Sequence, residues 1–138
     1  MRPTFAIVAC MLPALALGQG AAATDAGRRI TACRSQASGL DGLQVSCPLA
    51  ADGMARRFRF RASFSGGHDD TMASMTPMLG GTPLPCDEGS KTSLVGEDGD
   101  VSLECRFRMA HTPGTPPVLH VRLQWSHAQY TDFELVAE

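Results

Sequence analysis

The feature that most restricts the fold of this chain is a period-two alternation of apolar and polar side chains. From Arg57 to Phe64, one face takes Phe58, Phe60, Ala62 and Phe64 while Arg57, Arg59, Arg61 and Ser63 take the other. From Val101 to Met109, the odd positions are apolar or Cys105, and Ser102, Glu104, Arg106 and Arg108 stand opposite. Leu119, Val121, Leu123 and Trp125 repeat the pattern, with His120, Arg122 and Gln124 between them. Phe133 and Leu135 against Asp132 and Glu134 close the series, and Leu43, Val45, Cys47 and Leu49 form a shorter instance. Successive side chains of a strand point to opposite faces, so each run predicts a strand with one buried side. No segment after residue 23 sustains the 3.6-residue period of an amphipathic helix.

Turn-forming residues separate the runs: Ser38–Gly42, Ser65–Gly67, Leu79–Thr82, Gly96–Asp100 and the proline-rich Pro113–Pro117. Gly80-Gly81 suits a two-residue hairpin turn between strands at Thr71–Leu79 and Thr82–Cys86. About eight short strands at this spacing predict an all-β fold, a small antiparallel β-sandwich of immunoglobulin-like or related Greek-key type.

The start of the chain has a separate logic. Arg2, an apolar run from Phe5 to Leu17 and Ala21-Ala22-Ala23 form the three parts of a secretory signal peptide over residues 1–23. The run is too short to span a bilayer, which takes about 20 residues, and no later segment is apolar enough to anchor the chain. Ile7-Val8-Ala9-Cys10 also resembles a lipobox, with Cys10 as a lipidated first residue. That reading would leave a short apolar core before the cleavage site and an apolar stretch, Met11–Leu17, after it. Residues 24–138 are then one exported domain, periplasmic or secreted.

Cleavage would remove Cys10 and leave Cys33, Cys47, Cys86 and Cys105, an even number in a short exported chain. Two disulfides are expected. A hairpin centred near Leu40 sets Cys33 opposite Cys47, which favours Cys33–Cys47 with Cys86–Cys105. The second pair has weaker geometric support, because a hairpin centred on Asp98 would put Lys91 opposite Cys105. The alternative bridge, Cys47–Cys105, would join two inward-pointing strand positions as in immunoglobulin domains. The absence of any C-x-x-C argues against a thioredoxin-like or thiolate zinc site.

Charge excludes one class of partner. The 12 basic and 14 acidic residues give a net charge of −2, and loss of Arg2 makes it about −3; a nucleic-acid binder would show a basic excess. The chain has no asparagine, hence no N-glycosylation acceptor.

Several groups are candidates for binding. Arg57, Arg59 and Arg61, joined by Arg106, Arg108 and Arg122, would suit an anion or a polysaccharide; the competing role is cross-strand pairing with Glu104, Asp132 and Glu134. His68, Asp69 and Asp70 in one loop and Glu97, Asp98 and Asp100 in another offer oxygen-rich ligands for calcium if the loops meet at one end of the sandwich. Ordinary turn chemistry explains the same residues, and Asp98-x-Asp100 lacks the rest of an EF-hand loop. Met72, Met75 and Met78, with Met109 and His111, would be soft ligands for copper. A strand, however, sends Met75 to the face opposite Met72 and Met78, and methionine is a common core filler. His127, between Trp125 and Tyr130, marks a bend that would suit a small ligand. No nucleophile elbow or zinc-protease motif is present, and Gly89–Thr92 only echoes a phosphate loop. These features predict a non-enzymatic exported domain that binds an envelope or extracellular protein, a glycan or a small ligand through its loop end. A metal-handling protein, using copper or calcium, is the alternative. A hydrolase built on His68 and Asp70 is a third.

Overall fold

The structure is a computed structural model in which residues 27–49, 56–67, 69–96, 99–109, 114 and 117–138 are described. The expected signal peptide with Cys10, and the candidates His68, Glu97, Asp98 and His111, lie outside the described residues.

Alternation becomes strand wherever it was read. Among the described residues, ten strands follow in chain order: β1 (Arg28–Arg29), β2 (Arg34–Ala37), β3 (Gly42–Pro48), β4 (Arg56–Gly67), β5 (Met72–Leu79), β6 (Thr82–Pro83), β7 (Ser93–Val95), β8 (Gly99–Met109), β9 (Val118–Ser126) and β10 (Gln129–Ala137). The count exceeds the expected eight through short elements such as β1, which pairs for only two residues. No helix occurs among the described residues. One sheet has the order β1-β10-β4-β8; the other runs β2-β3-β9-β5-β6, with β7 also on β5. Every pairing among the described strands is antiparallel.

The two sheets form a small sandwich whose core is the set of residues that alternation turned inward. Phe58, Phe60, Ala62 and Phe64 from β4 and Leu103, Cys105 and Phe107 from β8 are at most 1% exposed. They share the core with Val45, Leu119, Val121 and Leu123 of the other sheet. Phe58 stacks on Phe107 at 5.4 Å and Phe60 on Phe133 at 5.8 Å. Such pairs add about 0.5–1.5 kcal/mol each beyond the area they bury.

Both disulfides are the local ones, Cys33–Cys47 and Cys86–Cys105. The first follows from register: Arg34 pairs with Ser46, so the next step outward sets Cys33 against Cys47, with Cα atoms 4.1 Å apart. The hairpin drawn around Asp98 is corrected by the structure. Lys91 bridges Glu104 rather than Cys105, one residue out of step, and β7 pairs with β5 of the other sheet rather than with β8. One residue of slip exchanges the faces of a strand, and here the chain avoids that cost by leaving β8 after a single bridge. The strand expected over Thr82–Cys86 likewise pairs only through Pro83. Cys86 instead crosses to β8, so the bond ties a connection of one sheet to a strand of the other.

Gly80 and Gly81 make the predicted hairpin turn, with φ of 59° and 81°. Two consecutive left-handed residues define a type I′ turn, which glycine adopts without steric cost.

Candidate functional site

Four connections gather at one end of the sandwich, and backbone bonds hold them together. Gly67 and Gly99 pair across β4 and β8, which sets the end of β4 beside the start of β8. Gly96 donates its amide to the Thr71 carbonyl at 2.9 Å. The β2–β3 hairpin tip joins them, because Trp125 donates its amide to the Asp41 carbonyl at 3.1 Å. The fourth connection is the bend Ser126-His127-Ala128 between β9 and β10.

That bend is fixed from below. The Thr71 hydroxyl, fully buried, donates to the His127 carbonyl at 3.2 Å. His127 has φ of 56°, the left-handed region that non-glycine residues seldom occupy. Its Nδ1 lies 3.1 Å from an Asp70 carboxylate oxygen and 3.3 Å from the Ser126 hydroxyl. Both the imidazole and the carboxylate are more than half exposed.

Beneath the bend, three aromatic rings close the core. Trp125 stacks on Tyr130 at 5.7 Å, and Phe64 meets both, at 5.7 and 6.2 Å. Tyr130 reaches this cluster because β10 bulges at Thr131: the register shifts between Tyr130 and Asp132, so residues three apart, Tyr130 and Phe133, both turn inward. Burial, reinforced by the negative charge of Asp132, raises the Tyr130 phenol above its usual value.

The same end carries the exposed large hydrophobic side chains. Leu40 at the hairpin tip is 99% exposed, Val95 72% and Met72 53%, and no other large hydrophobic side chain is exposed among the described residues. Met72 and Val95 are directly opposed across β5 and β7, and Met72 also pairs with Ser126 of β9. A shallow groove lined by Ser38, Asp41, Met72, Ser74, Gln124 and Trp125 runs beside them.

The candidate metal ligands are only partly placed. Asp69 and Asp70 sit in the turn before β5, and Asp100 is the second residue of β8. Among the described residues, no three His, Cys, Asp or Glu side chains come together as a metal site. Met75 is buried in the core at 4% exposure while Met72 and Met78 lie on the outer face, and Met109 is also buried. The methionines therefore do not converge. His120 is hydrogen-bonded to the Ser46 hydroxyl at 3.0 Å across β3 and β9.

The arginine set divides. Arg106 and Arg108 share the outer face of the four-stranded sheet with Arg57, Arg59 and Arg61, but Arg122 belongs to β9 of the other sheet. Alternation distinguishes inside from outside and is blind to which sheet a strand joins, so the structure separates Arg122 from the other five arginines. Sequence reasoning also passed over Leu40 and Val95; an apolar residue inside a Ser-Gly-Leu-Asp-Gly turn was the available signal.

No protein-family model matches the chain, and no curated protein matches it. No helix among the described residues is long and apolar enough to cross a membrane. Two disulfides point to an oxidising, exported environment.

Proposed function

We propose that this protein is an exported, non-enzymatic β-sandwich of the periplasm or the extracellular space, and that it binds a protein partner through the end bearing Leu40, Met72, Val95 and His127. One observation carries the reading: three strongly exposed apolar side chains, distant in sequence, gather at one end. Exposed apolar groups with a polar surround are the usual mark of a protein-binding surface. Asp41, Asp69, Asp70 and His127 supply that surround. The neighbouring groove is open rather than enclosed, which suits a macromolecular surface better than a small molecule.

Site-specific crosslinking in the producing cell tests it. A photoreactive residue at Leu40 or at Val95 is expected to capture an adduct of one common mass, and the same residue at Thr76, in mid-sheet, is expected to capture none. An exported protein that yields no adduct from either position, or the same adduct from Thr76, would overturn the reading.

A further inference from the structure

A second surface, at the opposite end of the molecule, goes beyond that reading. On the outer face of the four-stranded sheet, Arg57 stands directly opposite Arg108, and Arg59 directly opposite Arg106. Opposed residues lie about 5 Å apart and alternate residues along a strand about 7 Å apart. The backbone thus roots four guanidinium groups at the corners of a small grid.

Carboxylates only partly balance the grid. Glu104 pairs with Arg106 at 2.8 Å. Arg59 has Glu134 at 3.9 Å and Glu138 at 3.7 Å, both beyond hydrogen-bond reach, and its Nε is shielded from solvent with no hydrogen-bond partner. Among the described residues, Arg57 and Arg108 have no carboxylate at ion-pair distance, and both are exposed. Like charges directly opposed in a sheet repel. An anion set between them would turn the repulsion into two charge-assisted contacts, for which the planar guanidinium is well shaped.

The surroundings narrow the class of anion. Val136, which pairs with Arg59 on this face, is only 8% exposed, and the strongly exposed apolar side chains all lie at the other end. Among the described residues, nothing on this face would insert into a bilayer or stack on neutral sugars or bases. The chain as a whole is acidic, with a net charge of −2, so attraction for an anion is local to the arginine-bearing part of this face. A polymer that repeats carboxylate or sulfate groups can engage both opposed pairs at once, about 7 Å apart along the strands, which a single small anion cannot. We infer that Arg57, Arg59, Arg106 and Arg108 form a binding site for an acidic polysaccharide.

Titration of the purified protein with polygalacturonate, dextran sulfate, neutral dextran, phosphatidylglycerol vesicles and duplex DNA tests the site. Both acidic glycans are expected to bind at low ionic strength and to weaken as salt rises, while neutral dextran does not bind. An Arg57→Ser/Arg108→Ser double variant is expected to lose about tenfold or more in affinity, with Arg122→Ser unchanged. Trp125 fluorescence melts confirm that each variant is folded. Any of three results would overturn the inference: failure of both acidic glycans to bind, tighter binding to vesicles or DNA than to the glycans, or undiminished binding by a folded double variant.

Discussion

Tyr130 is the only tyrosine in the chain, so its titration can be followed without interference. Burial against Trp125 and Phe64, with Asp132 adding negative charge, raises its proton affinity in the native state. The unfolded chain releases the same proton near the ordinary phenol value of about 10. The native state therefore binds the proton more tightly than the unfolded one. This contribution to stability is intact below the unfolded value and is lost as pH climbs through the higher native value. Alkaline unfolding of the wild type is expected to coincide with phenolate absorbance, and Tyr130→Phe is expected to remove that part of the pH dependence. His127 offers a second test at this scale. Its left-handed backbone is tolerable for histidine but costly for a β-branched residue, by about 1–2 kcal/mol. His127→Val is thus expected to lower the urea midpoint, and His127→Gly to leave it near the wild-type value.

Among the elements, β4 and β8 show what alternation reveals and what it hides. Their inward residues were legible because Phe58 to Phe64 and Val101 to Met109 never break step, and burial follows that step at each position. The Cys33–Cys47 bridge was legible for a related reason: a short hairpin leaves one register in which the two cysteines oppose. The Lys91 register was not legible. Its supposed hairpin with β8 never forms, because Ser93–Val95 finds a better partner in β5, and competition between distant strands leaves no local mark. The loop end was visible as turn chemistry but not as an apolar surface, since Leu40, Met72 and Val95 come to the same end only through the pairing of four strands. The opposed arginines likewise become apparent only once β4 and β8 are in register. Their repulsion yields a prediction of opposite signs. Arg108→Glu would set a carboxylate against Arg57 and is expected to raise stability by about 0.2–1 kcal/mol, measured by urea denaturation, while it weakens acidic-glycan binding. A change that only damaged the fold would lower both.

For the molecule as a whole, the two disulfides bear much of the stability of a domain this small. They close loops of 14 and 19 residues in sequence separation, and each is expected to contribute about 3 kcal/mol by restricting the unfolded chain. A Cys86→Ala/Cys105→Ala variant is expected to show that loss in its denaturation midpoint, and to lose in addition the tie between the two sheets. The long axis of the sandwich separates two unlike surfaces, apolar groups and an Asp–His pair at one end and the arginine grid toward the other. A domain so divided can hold a partner protein and an acidic polymer at the same time, without competition between them.

The segment from Asp87 to Lys91 has a consequence for how the protein must be made. It lies along the outer margin of β8, where Asp87 and Lys91 take backbone bonds to Arg106 and Glu104, and the Ser90 hydroxyl accepts from the Arg106 amide. The Cys86–Cys105 bond clips it in place. Without that clip, an eleven-residue strand would keep a bare margin able to recruit a neighbour's backbone, the first step toward fibrous deposits. Production in a reducing cytosol is therefore expected to give insoluble material, and oxidative export to give soluble protein. The clip serves as a safeguard during manufacture as much as a brace in the finished molecule.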